Sequence, residues 1–321
     1  MPRNDAKIET IERKRLNGAL VLFKAYNHKF MKAGFVNIFG KPNAGKSTLL
    51  NALMGEKMAI VSHKVQTTRH RIKAFLNKPN EYQIIFSDTP GIIETTKYKL
   101  HEKMMSAVKG ALEDADIALL IIDVNDNLDE CDAIFQSLKL SVPALLILNK
   151  IDVAANGKIA LAEEFFKNKS YCKKIIKISA LQKSHLQKVL AAIVEELPEG
   201  VPFYNDEDLS DLPTKFFVAE IIREKIFELF GEEIPYQTAV MINEYKERED
   251  ITKIQADIIV NRDTQKSIII GEKGHMIKKI GMAARVDIEA FIQQKIFLEL
   301  FVKVKPKWRD NDLKLKEFGY N

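Results

Sequence analysis

The stretch from Phe35 to Gly55, FVNIFGKPNAGKSTLLNALMG, constrains the fold of this chain more than any other segment. An apolar run suited to a buried strand leads into a glycine-containing turn, and apolar residues at helical spacing follow from Ser47 to Met54. The turn fits the pattern G-x-x-x-x-G-K-[ST] in the strand-to-helix context that this pattern requires. Backbone N–H groups of such a turn and the positive end of the helix dipole bind phosphate groups. The sequence therefore predicts an α/β domain with a phosphate-binding loop (P-loop).

Two side chains of this loop have specific expected roles. The Lys46 ammonium should reach the β- and γ-phosphates, and the Ser47 hydroxyl should bind Mg²⁺. For this motif in isolation, the alternative is an ordinary glycine-rich turn with an incidental Lys-Ser pair. The predicted nucleotide-binding residues of the loop are Gly40, Lys41, Pro42, Asn43, Ala44, Gly45, Lys46, Ser47 and Thr48.

Length and composition limit the number of domains and the class of protein. A chain of 321 residues is long enough for two domains, each with its own core. Cys131 and Cys172 lie far apart without metal-ligand spacing, which supports neither a disulfide framework nor a zinc site and suits a reducing cytoplasm. No apolar run approaches the ~18 residues that a membrane-spanning helix needs.

Residues 1–30 differ from the rest of the chain. They carry seven basic and three acidic side chains, and their apolar residues from Ile8 to Phe23 have helix-like spacing. A targeting segment or a nucleic-acid-binding arm is the alternative, but the segment contains acidic residues and lacks a cleavage-like site. We expect an extension outside the main fold, with Met31 as a candidate natural start.

A second motif, Asp88-Thr89-Pro90-Gly91, follows the predicted strand YQIIFSD. A carboxylate at the C-terminal end of a parallel strand beside the P-loop strand suits an Mg²⁺-associated acid, and the Gly91 N–H suits a γ-phosphate. Alone, the pattern D-x-x-G is a common turn. All four residues are predicted to contact the nucleotide.

The loop VQTTRHR lies between these two motifs. A threonine hydroxyl in such a loop can close over Mg²⁺, and we predict that Thr68 does so, with Thr67 as the next choice. The predicted metal ligands are Ser47, Thr68 and Asp88.

The motif Asn149-Lys150-Ile151-Asp152 follows another apolar strand, ALLILN, and selects the base. The Asp152 carboxylate can accept hydrogen bonds from guanine N1–H and the exocyclic amino group, which adenine does not present in that arrangement. A site built for paired polar groups rejects an analogue that lacks them by several powers of ten. Lys150 should lay its aliphatic stem along the base, and Asn149 should tie the base loop to the P-loop.

The fifth motif, Ser179-Ala180-Leu181, follows the predicted strand KIIKIS and could direct the Ala180 N–H to guanine O6. By itself the pair Ser-Ala is a very weak signal. Five elements in this order, each after a buried strand or in a loop, predict a guanine-nucleotide domain.

Residues 34 to about 200 resemble the translation-factor-related, Era-type branch of the P-loop GTPases. The resemblance implies a mixed, mostly parallel six-stranded sheet, hydrolysis of GTP to GDP and phosphate with Mg²⁺, and in-line attack by water. It also implies two switch loops, at about 60–71 (switch I) and 91–101 (switch II). The predicted catalytic residues are Asn43, Lys46, Thr68 and Gly91.

Ile92 departs from the Ras-like pattern, which places a water-orienting glutamine directly after the D-x-x-G motif. A hydrocarbon side chain cannot hold a water molecule, so hydrolysis must use another water-positioning group, or backbone groups and bound ions, and we expect slow turnover. In related potassium-activated GTPases an asparagine at the position of Asn43 helps to coordinate K⁺. We therefore expect K⁺ dependence, the alternative being a plain loop asparagine.

The second half of the chain begins after residues 196–215, whose three prolines and acidic run predict a solvated connection. A helix is predicted over 215–230 and two alternating strands over 238–248 and 252–263. The following IIGEKG segment matches the G-x-x-G loop of KH domains, which clamps about four nucleotides of single-stranded RNA. We predict an N-terminal extension over 1–30, a GTPase domain over 31–200, a linker over 201–213 and an α+β type II KH domain over 214–321.

Charge supports this prediction when it is counted locally. Between Lys273 and Lys316 there are eleven basic and five acidic residues, in a chain whose net charge is +5. Lys303, Lys305 and Lys307 alternate, so on a strand they would share one face suited to phosphates, or would protect an edge strand from aggregation. The predicted RNA-binding residues are Ile270, Gly271, Glu272, Lys273, Gly274, Lys278, Lys303, Lys305, Lys307 and Arg309.

The chain ends with KPKWRDNDLKLKEFGYN, in which Trp308 and Phe318 could stack on bases or anchor a final helix. A P-loop GTPase followed by a G-x-x-G domain and a W-R-x-x-D-L-K ending is similar to the Era family over residues 31–321. The resemblance implies binding near the 3′ end of small-subunit ribosomal RNA and a GTP-gated role in 30S subunit maturation. It further implies some peripheral association with the inner face of the membrane, and we expect a cytoplasmic monomer.

Two other functions are compatible with parts of this sequence. One is an RNA chaperone that senses the nucleotide and in which hydrolysis is incidental. The other is a tRNA-modification or ribosome GTPase with a different appended domain, against which the G-x-x-G half argues.

Overall fold

The computed structural model describes residues 11–16, 19–24, 30–93, 97–231 and 233–320. The strands are β1 (Ile11–Leu16), β2 (Ala19–Lys24), β3 (Met31–Phe39), β4 (Ile72–Lys78), β5 (Tyr82–Asp88), β6 (Ile117–Asp123), β7 (Ala144–Asn149), β8 (Cys172–Lys177), β9 (Glu199–Gly200), β10 (Ala239–Lys246), β11 (Thr252–Val260) and β12 (Ile296–Val304). The α-helices are α1 (Lys46–Met54), α2 (Lys99–Glu113), α3 (Leu128–Ser137), α4 (Lys158–Phe166), α5 (Leu186–Glu196), α6 (Thr214–Leu229), α7 (Glu233–Tyr236), α8 (Asp263–Ile270), α9 (His275–Ile292) and α10 (Asp312–Glu317).

The first half forms an α/β unit around a mixed sheet. Its strand order is β4-β5-β3-β6-β7-β8, in which only the β4–β5 pair is antiparallel. The predicted six-stranded, mostly parallel sheet is confirmed. A seventh strand, the two-residue β9, pairs antiparallel with the start of β3.

Both faces of this sheet are covered by helices, as parallel sheets require. Successive residues of β6 point to opposite faces. Leu119 therefore packs in one core with residues of α1 and α5, and Leu120 in another with residues of α2, α3 and α4. This explains the unbroken apolar runs of β6 and β7, and it brings the C-terminal ends of β3, β5 and β7 to one edge of the sheet.

The second half forms a three-stranded sheet of order β10-β11-β12, with β10 antiparallel and β12 parallel to β11. Apolar residues of α6, α8 and α9 share one core with the strands, including Ile222, Ile269, Ile280 and Ile258. The element order, helix, two strands, two helices and a strand, is that of a type II KH domain, as predicted.

The predicted solvated connection is exposed over most of its length, but residues 203–210 also bind β4 and β5 at the edge of the large sheet. The Gln83 side chain accepts hydrogen bonds from the N–H groups of Phe203 (2.6 Å) and Tyr204 (3.0 Å). The Tyr204 ring stacks on Phe75 at 3.8 Å, and the Ser210 hydroxyl donates to the Lys73 carbonyl. The segment is exposed on one side, but its path is fixed.

The helix-like spacing of the N-terminal residues was misleading where the structure describes them. Residues Ile11–Leu16 and Ala19–Lys24 form an antiparallel hairpin in a sheet of their own, and Ile8 lies outside the described residues. Apolar residues at short spacing fit a two-stranded pairing as well as a helix.

The C-terminal segment packs between the two halves. Trp308 is completely buried and Phe318 nearly so, in a cluster with Leu100 and Met104 of α2. Of the two roles considered for these rings, the structure favours anchoring over base stacking. Among the described helices, none has both the length and the apolarity to cross a membrane.

Candidate nucleotide site and RNA-binding surface

A cavity of about 550 Å³ opens at the C-terminal edge of the large sheet. Twelve predicted site residues line it: Pro42, Asn43, Gly45, Lys46, Ser47, Thr48, Thr68, Gly91, Asn149, Lys150, Asp152 and Leu181. The other predicted nucleotide residues do not line it, namely Gly40, Lys41, Ala44, Asp88, Thr89, Pro90, Ser179 and Ala180. Residues that are more than 100 positions apart in the sequence thus meet around one cavity.

The glycines of the P-loop are required by close contacts. A Cβ atom on Gly40 would lie 2.3 Å from the Ile121 carbonyl oxygen, and one on Gly45 would lie 2.2 Å from Asn149 Nδ2. Gly45 also has φ of +102°, a left-handed backbone that favours glycine, immediately before α1. The turn can therefore hold its N–H groups at the start of the helix only with glycine at these positions.

Lys46 lies buried under the loop. Its Nζ donates to the carbonyls of Gly40 (3.1 Å) and Lys41 (2.8 Å). Burial lowers the pKa of Lys46 to about 8, and the nearby Asp88 partly opposes this effect. A phosphate beside the ammonium would favour its charged form and raise its pKa again.

The three predicted metal ligands lie together. The Ser47 hydroxyl donates to Asp88 Oδ2 at 2.6 Å, and the Thr68 hydroxyl lies 2.8 Å from Ser47 Oγ and 3.2 Å from the same carboxylate oxygen. Thr67 Oγ1 instead donates to the Lys64 carbonyl, which favours Thr68 over Thr67. The choice of threonine made from the sequence therefore agrees with the geometry.

The environment of Asp88 suits a carboxylate that binds a cation. Burial raises the pKa of Asp88, although hydrogen bonds from Ser47 and Thr68 and the charge of Lys46 act in the opposite direction. Its Oδ1 is buried and has no hydrogen-bond partner among the described residues. Two hydroxyls and one carboxylate, completed by phosphate oxygens, are the hard oxygen ligands that Mg²⁺ prefers. The residues therefore fit Mg²⁺.

Asn149 connects the base loop to the P-loop, as predicted. Its Nδ2 donates to the Ala44 carbonyl, and its Oδ1 accepts a hydrogen bond from the Ala180 N–H, both at 2.9 Å. The second contact corrects the expectation for Ala180: its N–H, which was assigned to guanine O6, is already bonded within the protein. Lys150 lines the cavity while its Nζ contacts Asp123 at 2.8 Å.

Switch I is bonded to the KH half, which sequence reasoning missed. Arg223 of α6 is buried and donates to the Thr67 carbonyl, next to the metal-side Thr68. Lys64 donates to the carbonyls of Phe227 and Phe230 at the end of α6. The only sequence signal was the presence of charged residues in an otherwise apolar helix.

The positive charge of Arg223 is balanced within the interface. Glu220 accepts from its Nε at 2.8 Å and also contacts its Nη2. Burial tends to raise the pKa of Glu220, but the neighbouring guanidinium outweighs this and holds the pKa below its usual range. A buried pair of this kind is costly to break because one charge would be left uncompensated.

The G-x-x-G loop forms the tight turn that was predicted. Gly271 and Gly274 have φ of +71° and +78°, and a Cβ on Gly271 would lie 2.7 Å from the Met276 Cγ. Glu272 and Lys273 between them are exposed. The backbone at this turn is therefore accessible to a phosphate chain, with the Lys273 ammonium beside it.

A groove of about 390 Å³ runs beside this loop between α9 and β12. Its apolar wall includes Ile277, Leu298 and Leu300, and Lys278 supplies positive charge, whereas Arg285, which also lines it, is paired with Glu289 at 2.9 Å. Lys278 was predicted, whereas the apolar wall and Arg285 were missed. The sequence signal for the wall was the alternation of apolar residues within β12.

The predicted lysine stripe is wrong in its geometry. Strand β12 ends at Val304, so Lys305 and Lys307 do not lie on it. Lys303 is on the strand, but its Nζ pairs with Asp257 at 2.6 Å. Arg309 is buried with its guanidinium 3.8 Å above the Tyr98 ring of the other half, so it is not free to bind RNA in this conformation.

Both halves of the chain match known protein families. A model of the 50S ribosome-binding GTPase family matches residues 35–150, and a KH-domain model matches residues 233–309. The chain is 41% identical to GTPase Era of Geobacter metallireducens over 90% of its own length and 98% of that protein. It is 44% identical to GTPase Era of Thermosipho melanesiensis over 90% and 98% of the two chains.

Two solved structures match the whole arrangement, each with a TM-score of 0.86, 41% identity and coverage of 90% of this chain and 99% of the other. One is a variant of Aquifex aeolicus Era bound to GDP and AlF₄⁻. The other is Era in complex with MgGDPNP and nucleotides 1506–1542 of 16S ribosomal RNA.

Proposed function

This chain belongs to the GTPase Era family and hydrolyses GTP, and we propose that the bound nucleotide controls its binding to small-subunit ribosomal RNA near the 3′ end during subunit maturation. The observation that carries this proposal is the bonding of switch I to the KH half. Thr68 contacts Asp88 at the candidate metal site while the neighbouring Thr67 carbonyl accepts from Arg223.

The connection continues to the RNA groove. Val218 and Ile222 of α6 share a core with Ile280 and Ala284 of α9, the helix that forms one wall of the groove. Lys57, just before switch I, pairs directly with Asp287 of α9 at 3.0 Å. A change in switch I would therefore move elements that carry the groove, because packed helices shift as units.

The proposed roles at the nucleotide follow from the geometry. The P-loop N–H groups and Lys46 hold the phosphates, and Asp152 and Lys150 select and cover guanine. If Mg²⁺ is bound there, it would supply positive charge that offsets the negative charge developing on the phosphates during hydrolysis. Ser47, Thr68 and Asp88 would hold the ion. Because Thr68 belongs to switch I, its contact there would make the conformation of switch I depend on the γ-phosphate.

The RNA would follow the groove with its backbone at the G-x-x-G turn and its bases over the apolar wall. This arrangement suits single-stranded RNA, because unstacked bases need apolar surface and an exposed backbone turn admits the phosphates. Lys273 and Lys278 would provide the electrostatic attraction.

The experiment that tests the proposal is RNA affinity in two nucleotide states. The affinity for an RNA oligonucleotide from the 3′ end of the small-subunit ribosomal RNA should differ at least about fivefold between the protein bound to a non-hydrolysable GTP analogue and the protein bound to GDP. Lys64→Met should reduce that ratio, because it removes the bonds to α6, while Lys188→Met on the exposed face of α5 should not. Equal affinities in both states of the parent protein would contradict the proposal.

GTP turnover with and without the same RNA separates this function from that of an RNA chaperone with incidental hydrolysis. A switch that is reset by hydrolysis on its target requires that bound RNA change the rate of GTP turnover. For the chaperone, the RNA would leave turnover unchanged.

We extend the proposal to K⁺, because switch I approaches the P-loop asparagine. Asn43 Nδ2 donates to the His63 carbonyl at 2.7 Å, which brings a backbone oxygen of the kind that K⁺ binds beside the phosphates. Hydrolysis should be about tenfold faster in K⁺ than in Na⁺ at equal ionic strength. Asn43→Gly, which suits the left-handed backbone there (φ +64°), should abolish the difference, and Asn205→Gly should not. Equal rates in the two salts would exclude this role.

The oligomeric state, the contact with the 30S subunit and the cellular location are proposed from the family resemblance. We propose a monomer that contacts the 30S subunit in the cytoplasm, with peripheral association with the inner face of the membrane. Sedimentation of the protein with purified 30S subunits and, separately, with lipid vesicles tests the two associations independently.

A further inference from the structure

Ile92 leaves the attacking water without the side chain that Ras-like enzymes use. In this structure Ile92 is half-buried against the apolar core formed with α2, and its N–H donates to the Gly40 carbonyl. The polar group that holds the water must therefore come from another part of the site.

Most polar side chains of switch I that line the cavity are already engaged. Thr68 is bonded to Asp88, and Thr67 donates to the Lys64 carbonyl. Lys64 reaches away to α6, and Ser62 Oγ accepts from the Lys64 N–H within its own turn. Gln66 is the amide side chain of this loop on the cavity wall, two residues before Thr68.

Gln66 is held in an unusual backbone conformation. Its φ is +58°, in the left-handed region that glutamine rarely adopts. Such conformations cost about 1–3 kcal/mol and persist where the surroundings fix them, often at functional sites. In this conformation the Gln66 side chain lies against His101 of switch II.

The contact with switch II is a hydrogen bond to His101. The two atoms, His101 Nε2 and Gln66 Oε1, lie 3.2 Å apart. His101 Nδ1 accepts a hydrogen bond from the Lys97 N–H at 3.2 Å, so the proton of a neutral ring resides on Nε2, which donates to Gln66. Burial lowers the pKa of His101, with Arg309 and Arg69 acting in the same direction, which favours the neutral ring.

The direction of this hydrogen bond determines which donors and acceptors of the Gln66 amide remain free to bind a substrate. Its Oε1 uses one lone pair for His101 and keeps a second, and its Nε2 keeps two N–H donors. An amide with one oxygen lone pair and two donors can accept from a water molecule and donate to a phosphate oxygen at the same time.

We propose that Gln66 is a catalytic residue for GTP hydrolysis, which orients the attacking water and donates to the γ-phosphate, and that His101 is its positioning residue. The water oxygen bonds to the γ-phosphorus, the bond to the β–γ bridging oxygen breaks, and the water proton passes to a phosphate oxygen. Gln66 itself takes no proton. The inference rests on GTP being bound in the cavity described above.

The test is single-turnover hydrolysis by Gln66→Asn, since asparagine accepts a left-handed backbone but its shorter amide cannot span the same distance. The rate constant should fall at least about tenfold while GTP and GDP affinities change less than about threefold. Gln66→Ala should show the same loss, and Val65→Ala, the exposed neighbour, should retain the parent rate.

The positioning role has its own readout. His101→Ala should lower the rate at saturating GTP, and His101→Gln, which restores a donor near the position of Nε2, should recover most of it. A structural defect would instead lower thermal stability in both His101 variants and would not be rescued. Hydrolysis at the parent rate by Gln66→Asn would overturn the inference, whereas failure of the parent protein to bind GTP would overturn the proposed function itself.

Discussion

Replacing Asp152 by asparagine is expected to change the preferred nucleotide from GTP to xanthosine triphosphate. Asp152 lies on the cavity wall in the short turn after Lys150, where its carboxylate is accessible to a base. An asparagine amide can donate to the 2-oxo group of xanthine but cannot accept both guanine protons. The ratio of the GTP affinity to the xanthosine triphosphate affinity should fall by about 10³- to 10⁴-fold, because buried polar groups would be left unpaired with the wrong base.

Competitive binding of the two triphosphates by calorimetry provides the measurement. Asp206→Asn, an equal change at an exposed position of the connecting segment, should keep the parent preference. A variant that still prefers GTP as strongly as the parent protein would show that Asp152 does not read the base.

The nucleotide site could be predicted because each of its motifs is short and lies at the end of a strand. Parallel strands bring their C-terminal ends to one edge, so Asp88 and Asn149 could be placed beside the P-loop without tertiary information. The Ala180 contact could not be predicted, since its N–H has two acceptors to choose from, guanine O6 and Asn149 Oδ1. The local sequence does not indicate which of these two acceptors the N–H group binds.

The RNA surface was predicted less completely because it depends on pairing between distant residues. The G-x-x-G turn is local, and its glycines have the expected positive φ values. Lys303, in contrast, forms an ion pair with Asp257. Arg309 stacks on Tyr98, which lies more than 200 positions earlier in the sequence. A count of basic residues cannot distinguish a free lysine from one whose charge is compensated by a tertiary contact.

The same reasoning explains the connection between the two halves. Prolines and acidic residues correctly indicated a surface segment, but Gln83, a buried polar residue of β5, supplies the acceptor that holds it. The bonds from switch I to α6 likewise join residues about 150 positions apart, such as Thr67 and Arg223. These contacts join two separately predictable domains, and the proposed nucleotide signal would pass through those of switch I to the RNA groove.

The RNA-binding assignment leads to the second large effect, in the variant with Glu272 and Lys273 both replaced by aspartate. Lys273 has φ of +49°, which aspartate tolerates well, so the turn should keep its shape. A charge-assisted bond to phosphate is worth about 1.5–3 kcal/mol, and the variant would replace it with repulsion. Affinity for single-stranded RNA should therefore fall about a hundredfold, with GTP affinity unchanged.

Salt dependence distinguishes a lost phosphate contact from a general defect. The logarithm of the RNA affinity should fall linearly with the logarithm of salt concentration, and the slope should be smaller by about one in the doubly acidic variant. Lys139→Asp provides a matched control, because Lys139 is an exposed lysine with φ of +48° in the GTPase half. It should bind RNA like the parent protein. If the doubly acidic variant did so too, the segment from Gly271 to Gly274 would be only a turn between helices, and the groove beside it would lose its assignment.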